Sequence, residues 1–122
     1  MRSSRHILIA DDDDGVRALL ARIVVRLYPT ISISAVNDGT DALVLYGQYG
    51  ADLLLTNFDM PLLNGLDLIR ALRIRGETLP IIMISAQPEI EQQALTMGAT
   101  RFIVKPFGVP LITQFITDLL PL

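Results

Sequence analysis

The chain has 122 residues, 51% of them hydrophobic and only 19% charged, against roughly 25% charged in an average soluble domain. That length suits one compact domain burying close to two-thirds of its unfolded surface, so neither a disulfide nor a structural metal is needed to hold it folded. With no cysteine, one histidine (His6), a net charge of -3 and a pI near 4.9, the composition excludes thiol and iron–sulfur chemistry. It also leaves a Ser-His-Asp triad hard to assemble and argues against a nucleic-acid-binding surface spread over the domain.

Short apolar runs alternate five times with segments of helical periodicity. Ile7–Ala10 reads as the first strand. Val16, Leu19, Leu20, Ile23, Val24 and Leu27 then fall on one stripe of an amphipathic helix. Ile31–Val36 is the second strand, and Asp38-Gly39-Thr40 opens a helix carrying Ala42, Leu43 and Tyr46. Leu53–Thr56 is the third strand, and Gly65 precedes a helix with Leu66, Ile69 and Leu72. Ile81–Ile84 is the fourth, and Pro88 precedes a helix with Ile90, Ala94 and Met97. Phe102–Val104 is the fifth, and Pro110 suits the first turn of a helix burying Leu111, Ile112, Phe115, Ile116, Leu119 and Leu120. Continuous rather than alternating apolarity predicts strands buried on both faces. The expected architecture is a doubly wound α/β domain over the whole chain, structured from about residue 6 to 120.

No apolar run approaches the roughly 18 to 20 residues of a spanning helix. The basic opening Met1-Arg2-Ser3-Ser4-Arg5 leads into too short an apolar stretch for a secretory signal, so a cytoplasmic setting is expected.

In an open parallel sheet, ligands bind beyond the carboxyl ends of the strands. There the sequence places Asp11-Asp12-Asp13-Asp14, Asn57-Phe58-Asp59, Ser85-Ala86 and Lys105-Pro106-Phe107. Asp13 or Asp14 suits a helix cap. Asp11 and Asp12 lie nearer the strand end, where two adjacent carboxylates repel unless a cation lies between them, and clustered oxygens suit magnesium. Lys105 is the one lysine among ten cationic residues. Its place before proline fits a compact point charge, or a salt bridge to the acids. Pro106 is a candidate for a cis bond. Ser85 and Asn64-Gly65 read alone as turn formers, and His6, at the opposite edge, as structural.

Taken together, Ile7–Asp12, Asp38-Gly39, Asp52–Leu55, Met60-Pro61, Asn64-Gly65, Pro80–Met83, Gly98-Ala99 and Lys105-Pro106-Phe107 resemble, in order and spacing, the receiver domain of two-component response regulators, the chemotaxis-regulator-like family. The resemblance covers essentially the whole chain. It implies a flavodoxin-like five-stranded parallel sheet in the order 2-1-3-4-5 with helices on both faces. It implies that Asp11 and Asp12 help bind Mg2+, that Ser85 turns toward a phosphoryl group, that Lys105 neutralises it, and that Phe102 is the aromatic switch.

The position that receives the phosphoryl group in the family is Asn57 here. A neutral amide is a far weaker nucleophile than a carboxylate and cannot give the usual acyl phosphate. It also removes a negative charge beside the metal, so the set Asp11, Asp12, Asn57 and Asp59 should bind magnesium weakly. Asp59 supplies a third carboxylate, pairs with Lys105, or is a solvated loop acid; its two-residue displacement spoils in-line geometry for a surrogate acceptor.

The leading expectation is an atypical receiver, not an enzyme, acting as a protein-interaction module. Its partner would be a sensor histidine kinase, another signalling protein or a fused output domain, and the last two helices with the last strand are a candidate homodimer face. The alternative is an ordinary phosphoacceptor receiver carrying an engineered Asp-to-Asn change at position 57. A flavin carrier lacks its glycine-rich phosphate loop here, and a phosphohydrolase would have to use Asp11 without room for a cap domain.

Overall fold

In the computed structural model, which describes residues 5–122, five strands alternate with five helices: β1 His6–Ala10, α1 Asp14–Leu27, β2 Ser32–Val36, α2 Gly39–Tyr49, β3 Leu53–Asn57, α3 Gly65–Ile74, β4 Ile81–Ser85, α4 Glu91–Met97, β5 Arg101–Val104 and α5 Val109–Leu119. The opening Met1-Arg2-Ser3-Ser4 lies outside the described residues. A single 3-10 turn, Pro88–Ile90, precedes α4, so Ile90, expected on the helix, lies in the turn and the helix starts at Glu91.

The strands form one parallel sheet ordered β2-β1-β3-β4-β5. Side chains alternate across it, as the two-residue period of a strand requires. Ile7, Ile9, Leu53, Leu55, Ile82, Ile84 and Ile103 pack with Leu20, Ile23 and Val24 of α1 and Ile112 and Ile116 of α5. Leu8, Ala10, Leu54, Ile81, Met83 and Phe102 pack with Ala42 of α2, Leu68, Ile69 and Leu72 of α3, and Ala94 of α4. Both faces of the central strands are therefore buried, which is why their sequences read as unbroken apolar runs.

Two expectations need correction. β2 is an edge strand, with Ser32 and Ala35 exposed and the rest half-buried, so its apolar run does not mean cover on both faces. In α5, Leu111 is exposed rather than buried; the inward stripe runs through Ile112 and Ile116 to Leu120, with Phe115 and Leu119 partly buried.

Each helix starts at the carboxyl edge of the sheet, here called the rim, and ends at the opposite edge, the foot. Short polar side chains fix three of the starts. Asp13 accepts from the Val16 amide at 3.1 Å, Asp38 from Asp41 at 2.7 Å and Asn64 from Asp67 at 2.8 Å. Two of the expected turn and cap residues thus act as helix caps, Asp13 on α1 and Asn64 on α3, where the glycine after Asn64 begins the helix.

Candidate functional site at the rim of the sheet

The winding order creates the site. The chain leaves β1 for β2 on one side and returns to β3 on the other, so a crevice opens where the connections diverge. Asp11 follows β1, Asn57 ends β3, Ser85 ends β4 and Lys105 follows β5. Registers Ala10↔Thr56, Asn57↔Ile84 and Ser85↔Val104 bring these ends level.

The acid pair divides at once. Asp11 is buried, 1% exposed, and its carboxylate accepts from Lys105 Nζ at 3.0 Å and from the Asp13 amide at 2.9 Å. Asp12 points to solvent and accepts from the Asn57 Nδ2 amide at 3.1 Å. The same Asn57 nitrogen donates to the Asp59 carbonyl at 2.8 Å. Asp59 is exposed at the mouth of the cavity and forms no ion pair with Lys105, whose carboxylate partner is Asp11. Ser85 is buried, and its Oγ accepts from the Gln87 amide at 3.0 Å. The Lys105–Pro106 bond, a candidate in the sequence, is cis.

Asp12, Asp13, Asn57, Asp59, Ser85, Ala86, Gln87 and Lys105 line one cavity of about 370 Å³. Adjacent to it, a second cavity of about 470 Å³ lies between the start of α1 and the turn after β5, with apolar walls from Val16, Leu19, Pro106 and Phe107. Phe102 lies beneath the rim, nearly buried in the core shared with α3 and α4. His6 lies at the foot, with Nε2 2.9 Å from Ser34 Oγ and its backbone amide donating to Asp52 at 2.8 Å.

Close backbone packing holds the rim loops. A Cβ on Gly65 would fall 2.2 Å from the Asn57 carbonyl oxygen, and one on Gly39 would fall 2.0 Å from that of Leu63. Only glycine lets these segments approach so closely. Between them Leu62, 81% exposed, sits at φ +69°, a left-handed conformation unfavourable for a branched side chain.

Two contributors were missed by sequence reasoning. Arg17 of α1 donates Nη1 to the Asp11 carbonyl at 2.8 Å and pairs Nη2 with Asp14, bracing the acidic turn from the helix side. Gln87 closes the turn at Ser85. In the sequence Arg17 is one arginine among nine, and its spacing from Asp14 would have indicated only a helix-surface pair.

For magnesium, which the fold family implies, this arrangement is a poor donor set. Asp11 is committed to Lys105, and the Asn57 side chain turns an N–H donor toward Asp12 where a cation needs oxygen. Among the described residues no three acidic or histidine groups converge closely enough to hold a metal ion.

A buried acid, a lysine and a hydroxyl thus converge at the switch point of a doubly wound sheet, the place where α/β domains of this class bind their ligands. Comparison narrows the class: residues 7–117 match the response regulator receiver domain family, and the chain belongs to it. It is 36% identical over 104 residues to the Regulator of RpoS of Escherichia coli strain K12, covering 84% of this chain and 30% of that protein. It is 33% identical over 112 residues to the chemotaxis protein CheY of Pseudomonas aeruginosa, covering 88% and 90%. The chain spans less than half the length of the first of these. Among solved structures, the NtrX receiver domain of Brucella abortus superimposes with a TM-score of 0.85 at 26% identity over 93% of this chain and 97% of that one. The receiver domain of Francisella response regulator 1452 gives 0.82 at 26% over 95% and 96%. The protein is therefore a receiver domain of two-component signalling. No helix among the described residues is long and apolar enough to cross a membrane.

Proposed function

We propose that this receiver signals without an acyl phosphate at position 57, as a non-enzymatic, cytoplasmic protein-interaction module. The observation that carries the reading is the Asn57–Asp12 hydrogen bond at 3.1 Å. The end of β3, where a nucleophilic carboxylate would stand, presents a neutral amide already bonded to the acid that would help hold a cation. The amide can neither attack phosphorus nor carry the charge that attracts magnesium, so metal binding is weak. Output then depends on a partner that binds two conformations unequally.

The apolar cavity beside Lys105 and Phe107, between α1 and the β5–α5 turn, supports docking of a helix from a sensor kinase or another signalling protein. Leu95, Val104, Val109 and Leu111, all exposed on α4, β5 and α5, support that face as the contact for an output domain or a second copy. The net charge of -3 argues against direct nucleic-acid contact.

Incubation with acetyl phosphate and magnesium, followed by intact-mass measurement, tests the reading. An unchanged mass is expected. A stoichiometric gain of one phosphoryl group, labile to hydroxylamine, overturns it.

A second reading is favoured by the rest of the site. Asp12, Ser85 and Lys105 border one cavity, as a working phosphoacceptor site requires. On this reading the domain is an ordinary receiver whose acceptor aspartate has been replaced, and Asn57→Asp alone restores phosphorylation.

A further inference from the structure

The helices on the α2–α4 face are secured differently at their two ends. At the rim, side chains cap α2 and α3, but neither the 3-10 turn Pro88–Ile90 nor α4 receives a side-chain cap. α4 has seven residues, too few to persist on helix propensity alone, and only Ala94 within it is fully buried. Its lead-in is tied to the rim by the Gln87 amide donating to Ser85 Oγ.

The foot end is the reverse. The amide of Gly98 donates to the Ala94 and Leu95 carbonyls and that of Ala99 to Ala94, closing the last turn of α4. The Gly98 carbonyl then accepts from Arg73 of α3 through both Nε, at 3.1 Å, and Nη2, at 2.7 Å. Arg73 Nη1 donates to the Glu77 carbonyl at 2.9 Å, and the Glu77 carboxylate accepts from the Tyr46 hydroxyl of α2 at 2.5 Å.

One planar guanidinium therefore joins the ends of α3 and α4 and, through Glu77, α2. The fit is close: a Cβ on Gly98, whose φ is +121°, would fall 2.8 Å from Arg73 Cγ and Nε. A lysine, as a single point charge, cannot serve both carbonyls in this fork.

We propose that Arg73 is the fulcrum of a lever: it fixes α4 at the foot, so that loss of the Ser85–Gln87 contact frees only the rim end of the helix. The proposal deepens the interaction-module reading and rests on it for its use in signalling. Loss of the Ser85–Gln87 contact frees the uncapped end, while the fork keeps the other end in register.

Residue-by-residue amide hydrogen exchange by NMR on the whole chain tests this, with Leu55 and Ile82 of the central strands reporting global opening. Ser85→Ala is expected to speed exchange by about tenfold or more from Gln87 to Gln92 and to leave Gly98 and Ala99 at their original rates. Arg73→Ala should accelerate both ends of α4 beyond the strand amides. Arg73→Lys, which keeps the charge, should accelerate Gly98 and Ala99 as Arg73→Ala does.

Uniform acceleration of strands and helices in Arg73→Ala, or none in α4, overturns the lever. So does Ser85→Ala loosening Gly98 as much as Gln87, or Arg73→Lys behaving as the unaltered chain. These rates are read on the unphosphorylated chain, so the lever and the phosphorylation-independent reading fail by different measurements.

Discussion

The rim and the foot of the sheet are both polar, and they hold their polar groups in opposite ways. At the rim, Asp12, Asn57, Ser85 and Lys105 border an open cavity, where each partner is exchangeable for water or ligand. At the foot, Arg73 is spent on main-chain carbonyls, and His6 stacks on Tyr49 with ring centroids 6.3 Å apart while bonding Ser34. Burial lowers the Arg73 pKa from its ordinary value, an effect that Tyr46 opposes. A polar group bordering a cavity can exchange its partner for water or ligand, whereas one bonded to main-chain carbonyls is held by the fold itself. The boundary between the two runs through the rim itself, between neighbouring Asp11 and Asp12.

Lys105→Met breaks that comparison most severely. It leaves the Asp11 carboxylate buried with only the Asp13 amide, and with Lys105 itself partly exposed the expected loss is about 2–3 kcal/mol in urea unfolding. Asp12→Ala, on the open side of the boundary, should cost well under about 1 kcal/mol. Equal costs would erase the boundary.

Asn57→Asp comes next. It gives up the hydrogen bond to Asp12 and sets two carboxylates side by side, so without metal it should lower stability by about 1 kcal/mol. Magnesium should reverse that loss, with affinity rising roughly tenfold or more, read by titration calorimetry. A variant with unchanged magnesium affinity would show that the rim is not the cation site.

At the foot, Tyr28 donates its hydroxyl to the Leu120 carbonyl, tying the end of α1 to the segment after α5. Tyr28→Phe is expected to cost about 1 kcal/mol near neutrality. Desolvation raises the Tyr28 pKa above its ordinary 10.0, an effect Arg5 partly offsets. The unfolded chain therefore loses this proton first. The contribution is fully present below pH 10 and is lost as pH rises through the higher folded value. Tyr28→Phe should flatten that alkaline decline, which parallel pH series of denaturation would show.

The smallest effect has the opposite sign. Leu62 is exposed and left-handed, so Leu62→Asn gives up little packing and relieves backbone strain. A gain of about 0.5 kcal/mol is expected, measurable as a shift in the unfolding midpoint.

Much of this was legible in one dimension. The three central strands were delimited to within a residue at each end because burial on both faces leaves an unbroken apolar signature. The neutral amide of Asn57 at the end of the third strand was legible too, because it is a matter of residue type. The edge strand β2 reads in sequence as covered, since Ile33, Ala35 and Val36 look the same whether or not a helix lies over them. Leu111 reads as inward because a stripe of six apolar residues on α5 is wider than the surface that can bury it.

The sequence by itself determined the alternation of elements, a cap from Asp13 or Asp14, a helix opening at Asp38, and which functional groups lie after which strand, because these depend on local periodicity and residue chemistry. Only the tertiary structure decided how those groups pair. Asp11 is closed on Lys105, 94 residues away, while Asp12 is left open and bonded to Asn57. It alone assigned Arg17 and Arg73, two of nine arginines, to main-chain carbonyls rather than solvent. The reason is physical: a carboxylate or guanidinium is chemically the same wherever it stands, and its partner and share of solvent are set by strand order and packing.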